Sequence, residues 1–359
     1  MTEEKSNPEP DMFDIFSTYH VSWTEQEQEQ NNIDVYSKWD PSDSGWNEAV
    51  SPNTHADPFC CQTEWQLSYH EAMEPDRRLV IRESSGSIVA LAVEITSPDE
   101  KVLFPIESGW QFGCPLLGPF PLELLDDIII DEEYDLNGIR TAPSIVISGV
   151  LPNGVLKRRL IDRYKDRFDF QKLSSEELCS ASLLGGIDGY LSRRSSSHRR
   201  GLRKQSKRAH NAGVTFEHIV PTTHIEAEAT YQRMLAVEES GWKGVGKCGM
   251  TMQPSRDYYS FMLRRLADSG AGRVVFARHD DIDIGYLFGG MAGDIYRGQQ
   301  FSFAVDWKSQ SIGNLLQLEQ VRSLCDEGAT RYDMGPIMEY KRHWTETKTT
   351  IESLVMRPI

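Results

Sequence analysis

No stretch of the 359-residue chain approaches the ~20 consecutive apolar residues a membrane-crossing helix requires. Its start, MTEEKSNPEPD, is acidic and polar, without the basic-then-apolar pattern of a secretory signal, and a cytoplasmic protein is expected. The six cysteines (Cys60, Cys61, Cys114, Cys179, Cys248, Cys325) form no CxxC and no Cys/His zinc spacing. Cys60 and Cys61 are adjacent and poorly placed to bridge each other, which fits a reducing compartment. The nine histidines include no HExxH and no acid-backed pair at ligand spacing, so no metal is expected. Ser148-Gly149 lies outside any GxSxG, and no serine nucleophile motif stands out. Positive charge is scarce: 38 Lys and Arg against 54 Asp and Glu give a net charge of -16. Such a surface repels nucleic acid and anionic membranes except where cations are concentrated.

What is present suits a globular enzyme-sized protein. Apolar residues make up 39% of the chain and aromatics 10%, enough for packed cores, and the length predicts two domains. Residues 1–45 read as an acidic, partly disordered segment that includes EQEQEQNN at Glu25–Asn32. Residues 46–185 read as a first domain: a helix over Phe59–Met73, strands at Leu79–Arg82, Ile88–Ile95 and Val102–Ile106, a helix over Leu122–Ile130, a strand at Ser144–Val150, a helix from Leu151 to about Lys165, and a strand at Phe168–Leu173. Gly185, Gly186 and Gly189 mark the junction. Residues 186–359 repeat the order. A basic helix spans Ser192–Ala212, followed by a strand at Val214–Ile219, a helix over Ile225–Ser240, a glycine-rich loop at Gly241–Met252, and a helix over Ser255–Asp268. Then come strands at Arg273–Arg278, Ile282–Met291 and Ile295–Val305, a helix over Asn314–Asp326 and a strand at Arg331–Met334. The fold class is mixed α/β with two mostly antiparallel sheets flanked by helices.

Four stretches carry chemistry. In Gln310-Ser311-Ile312-Gly313 a strand turns into a helix, and helix starts leave backbone N–H groups that attract phosphate; an ordinary cap with a turn glycine has the same pattern. The basic helix holds Arg193, Arg194, Arg199, Arg200, Arg203, Lys204, Lys207 and Arg208, a local reversal of the global charge that suits a nucleotide cofactor, a nucleotide-linked substrate or tRNA, or else a solvated face. Tyr340-Lys341-Arg342-His343-Trp344 offers a cation and a phenol beside a strand end, or a set of core anchors. Gly241–Met252, with Trp242 and Lys243, is a loop free to approach a ligand or simply a surface loop.

SRRSSSHRRGLRKQSKRAHNAGVTFE, ESGWKG, FAVDWKSQSIGNLLQLEQV, YDMG and EYKRHW, in that order, resemble the FemABX-like and CelD-like branch of the GNAT acyltransferase superfamily over Leu191–Trp344, and PFCCQTEW resembles that family's opening segment. The resemblance implies two tandem GNAT-like domains, the first shaping the acceptor site and the second holding the donor. It implies acyl-CoA, acetyl-CoA foremost, as co-substrate, and an amine of a small molecule, peptide or sugar as acceptor. Gln310, Ser311, Gly313 and Asn314 would hold its pyrophosphate, and Arg200, Arg203 and Lys204 further phosphates. Backbone N–H groups near Ala304–Asp306 would polarise the carbonyl, Lys341 would add positive charge, Tyr340 would protonate the thiolate, and Asp306 or Glu94 would act as base. Leu315 stands where the family has a small residue, and Ile312 where it has proline. Two alternatives stay open: an aminoacyl-tRNA-dependent transferase of the FemABX kind, and a non-catalytic binding protein on the same fold.

Overall fold

The computed structural model describes residues 44–51, 53–97, 100–246 and 249–359. Almost all of the acidic N-terminal segment, and Cys248, lie outside the described residues. The first half runs α1 (Trp46–Ala49), a 3-10 turn (Phe59–Cys61), α2 (Thr63–Met73), β1 (Arg78–Ser84), β2 (Ser87–Ser97), β3 (Glu100–Pro105), β4 (Leu116–Leu117), α3 (Pro121–Asp131), β5 (Tyr134–Leu136), β6 (Ile139–Thr141), β7 (Ser144–Val150), α4 (Val155–Tyr164) and β8 (Phe168–Ser182). The second runs α5 (Gly186–Ser192), α6 (Ser196–Asn211), β9 (Thr215–Ile219), α7 (His224–Ser240), α8 (Trp242–Val245), α9 (Ser255–Asp268), β10 (Gly272–His279), β11 (Ile282–Ala292), β12 (Ile295–Phe303), α10 (Ile312–Asp326), β13 (Arg331–Pro336) and β14 (Thr347–Pro358). The expected elements form, with ends shifted by a few residues.

The two halves share one sheet, ordered β1-β2-β3-β7-β14-β8-β13-β12-β11-β10-β9, with β4 beside β2. The same motif occurs in each half. β2 and β3 pair antiparallel and α3 leads to β7, parallel to β3. β11 and β12 pair antiparallel and α10 leads to β13, parallel to β12. Two features escape the sequence pattern. β8 continues past Leu173 to Ser182, and the closing segment forms β14, which pairs with β8 along its length and with β7 of the first half through Leu354↔Ile147 and Val355↔Val146.

Alternation along β10 and β11 sorts the second half into two layers. Val275, Ala277 and Leu287 face α5, α6 and α10, packing with Leu202, Ile312 and Leu316. Val274, Phe276, Tyr286 and Phe288 face α7 and α9, where Met234, Tyr258 and Met262 fill the core. Phe59, Trp65 and Tyr69 of the first half join this second layer, so an aromatic contact surface binds the halves together.

Candidate active site

β12 and β13 pair only through Ile295↔Arg331, Tyr296↔Tyr332 and Arg297↔Asp333. Beyond that point the two parallel strands part, and a V-shaped notch opens at the start of α10. Arg297 marks its apex. The guanidinium donates to Asp57 at 2.7 Å and to the Gly298 carbonyl at 2.9 Å, while Arg331 donates to Asp333 and to the Ala56 carbonyl. Burial raises the Asp333 carboxyl to about 6, with repulsion from Asp57 adding to it. Gly335, at φ +73°, gives the Arg297 guanidinium room: a Cβ there would lie 2.6 Å from it.

Two lips line the notch. One is the 3-10 turn Val305–Gln310 leading through Ser311, left-handed at φ 61°, into α10. The amides of Asn314 and Leu315 bond back to the Ser311 carbonyl, which leaves those of Ile312 and Gly313 as the helix-start donors. Arg208 of α6 donates to the Ser311 hydroxyl at 3.2 Å, and Asn314 reaches Gln205 at 3.4 Å, so α6 sets a cation beside those amides. The Gln310 side-chain oxygen is shut from water with no hydrogen-bond partner. Gly313 serves packing: a Cβ there would meet the Phe301 and Phe303 rings at 3.2 and 3.3 Å. Leu315 points into the core, 1% exposed.

The other lip is the 3-10 turn Glu339–His343. Lys341 is buried and donates to the carbonyls of Met334 and Pro336 at 2.7 and 2.8 Å, pinning this turn to the end of β13. Burial, with Arg297 repulsion second, lowers its ammonium to about 8. Tyr340 is 40% exposed, and its ring meets Phe301 edge-on at 5.8 Å across the notch. Burial pushes its phenol upward, so it is protonated at neutral pH. Tyr340, Asn314 and Glu339 line a cavity of about 540 Å³ with His198, His343 and Trp344. His198 stacks on His343 at 5.8 Å and meets Trp344 edge-on at 5.0 Å; burial lowers its pKa.

The structure thus brings Gln310, Ser311, Gly313, Asn314, Tyr340 and Lys341 to one notch, with exposed Asp306 on its rim. It does not bring Glu94 there. That residue pairs with Arg77 at 2.8 Å on β2, six strand spacings from β12, or about 29 Å at ordinary sheet spacing. The Ala304 amide is also withdrawn, since it donates to the Ile284 carbonyl at 2.9 Å; among the expected oxyanion donors this leaves the amides of Val305 and Asp306. Arg200 and Lys204 are exposed on the outer face of α6, and Arg203 turns into a groove away from the notch. His198 and His343 lie within the family-like segments but are given no role there, and Arg297, Asp57 and Asp333 meet only through tertiary pairing. Among the described cysteines, burial pushes Cys114 up to about 12 and Cys60 and Cys61 well above the usual thiol range, and raises Cys179 and Cys325. Among the described residues no group of His, Cys, Asp and Glu could hold a metal.

Residues 196–342, from the start of α6 to the turn that holds Lys341, match the acetyltransferase (GNAT) domain family. The chain carries a GNAT domain. The whole architecture is similar to the crystal structure of FemX, at 10% identity and a TM-score of 0.60, covering 86% of this chain and 94% of that one. It is similar to a conserved protein of unknown function from Bacteroides thetaiotaomicron, at 10% identity and a TM-score of 0.56, covering 89% of this chain and 98% of the other. It is also similar to the C-terminal domain (DUF2156) of a putative lysylphosphatidylglycerol synthetase from Agrobacterium fabrum, at 12% identity and a TM-score of 0.53, covering 87% and 90%. These likenesses show the fold alone, one sheet in which the same strand–helix–strand motif occurs in each half. No curated protein matches the chain in sequence. No described helix is long and apolar enough to cross a membrane.

Proposed function

We propose that the chain is an N-acyltransferase that moves an acyl group from acyl-CoA to an amine by direct attack in the notch between β12 and β13. The observation that carries this reading is the parting of two parallel strands beside a helix start backed by Arg208. A donor pyrophosphate would sit on the amides of Ile312 and Gly313, with Ser311, Asn314 and Arg208 around it. The acyl carbonyl would lie against the amides of Val305 and Asp306, which favour the negative charge that develops on its oxygen. The amine nitrogen attacks the carbonyl carbon, a C–N bond forms and the C–S bond breaks. Tyr340 gives its proton to the departing thiolate, and Asp306, through water, takes the one the amine sheds. Lys341 acts from below as a buried positive charge that also fixes the turn carrying Tyr340. The first half would present the acceptor.

One observation favours the second reading, in which the donor is an aminoacyl-tRNA. Among the described residues none of Arg199, Arg200, Arg203, Lys204, Lys207 and Arg208 is paired with a carboxylate, whereas Arg193 and Arg194 both hold Glu346. On a chain of net charge -16 such a row suits a polyanion. The likeness to FemX points the same way under the family resemblance.

A thermal-shift titration with acetyl-CoA and free coenzyme A, beside a tRNA-binding assay at two salt concentrations, separates the readings. Saturable melting-temperature increases with both thioester and free coenzyme A support the first. No shift with either, together with tRNA binding that weakens steeply with salt, overturns it in favour of the second.

A further inference from the structure

We propose that the groove between α5, α6 and α10 is a separate binding site for the phosphomonoester end of a small phosphorylated ligand. It goes beyond the donor reading and does not depend on it. The groove encloses about 430 Å³, a volume in the range of small-molecule sites. Arg199 and Arg203 enter it from α6 and Arg322 from α10, over an apolar floor of Leu202 and Leu318. The arrangement follows from helix periodicity. Arg199, Leu202, Arg203 and Ser206 fall at i, i+3, i+4 and i+7, one face of α6, and Leu318 and Arg322 are four apart on α10.

The polar groups in this groove are incompletely used. The Ser206 hydroxyl is shut from water and has no hydrogen-bond partner. Arg203 makes no ion pair among the described residues. Among the described residues Arg199 donates only to the Leu191 and Ser192 carbonyls, at 3.3 and 3.5 Å. Arg322 holds Glu319 at 2.5 Å, and Asp188 lies on the rim. Guanidinium forks converging from two helices match the oxygens of a phosphate, and a neighbouring hydroxyl completes the set.

This is not the phosphate position at the notch. Arg322 lies eleven residues beyond Ser311, about 16 Å along α10. Nor does it suit a nucleic-acid backbone. The groove is concave and bounded on one side by α5, whereas an extended polyanion would follow the outer row of Arg200, Lys204 and Lys207.

The test is calorimetric titration of the full chain with inorganic phosphate and with 5′-AMP, comparing wild type with Arg203→Ala, Ser206→Ala, Lys207→Ala and Arg208→Ala. Lys207→Ala removes the same charge from the same helix outside the groove. The expected result is a saturable site weakened about tenfold by Arg203→Ala, less by Ser206→Ala, and under about twofold by Lys207→Ala or by Arg208→Ala at the notch, with melting temperatures of the free variants unchanged. Absence of saturable binding, or equal weakening by Lys207→Ala or Arg208→Ala, overturns the proposal. A single-stranded RNA oligonucleotide is the second probe: RNA binding that excludes phosphate and depends on Lys207 as much as on Arg203 overturns it in favour of a polyanion on the open helix face.

Discussion

Arg297 and Asp57 form an ion pair at 2.7 Å with side chains only 5% and 1% exposed, at the point where β12 and β13 separate. It ties the segment between α1 and α2 of one half to the central strands of the other. Burial costs both charges solvation, so removing one partner strands the other. Asp57→Ala is therefore expected to cost about 3–5 kcal/mol in urea unfolding. The surface pair Arg264–Glu228, with both side chains over 40% exposed, should cost less than about 1 kcal/mol when Glu228 is replaced by Ala. Equal losses at the two sites would mean the apex pair does not hold the halves together.

Gly335 should tolerate no side chain. Its positive φ alone penalises alanine by about 1–2 kcal/mol, and the added Cβ would also press on the Arg297 guanidinium. Gly293 has a comparable φ of +62° and open space around it. Gly335→Ala should lower the melting temperature clearly more than Gly293→Ala; similar decreases would show that the guanidinium moves freely.

Glu107 sets a pH dependence. It is fully buried and accepts from the amides of Trp110, Gln111 and Phe112 and from the Trp65 indole. Burial outweighs these bonds and raises its carboxyl from 4.5 to about 7. Between those values the folded chain binds more protons than the unfolded one, so this contribution to stability is greatest at the acid end and is lost as pH rises through about 7. Its size is up to about 3 kcal/mol. The stability difference between wild type and Glu107→Gln should change across pH 4.5 to 7; a constant difference would place the group in its ordinary range.

Arg208 is the cation that α6 places on the α10 start. Arg208→Glu should weaken coenzyme A binding about tenfold in the thermal-shift assay, while Lys165→Glu, the same charge change on an exposed residue of the other half, should not. Gly313→Trp is a poorer probe, because its ring would collide with Phe301 and Phe303 rather than fill the phosphate position.

Most helices and strands were legible because their periodicities are strong. α10 shows Leu315, Leu318, Val321 and Leu324 at helical spacing, and all four are buried. The notch was legible through the Ser/Gly turn and the Tyr340-Lys341 pair. What stayed hidden depends on partners distant in sequence. Thr347–Pro358 is rich in threonine and charge, and becomes a strand because β7 and β8 offer edges to it. Glu94 looked usable because hairpin placement says nothing of which sheet position the hairpin takes. The directions of Arg200, Arg203 and Lys204 cannot be read from a helix with cations on several faces, because the packing of Leu202 and Ala209 sets its rotation.

The placement of β14 constrains how such a chain is made. β7 finds its edge partner only when Leu354 and Val355 are in hand, so the first half cannot close its sheet while the second is still being synthesised. Assembly by independent halves, each finished in turn, gives way to a final stitch that zips both together. A ribosome-stalled chain released before Thr347 should accordingly expose β7 and β8 as open strand edges, a natural target for chaperones.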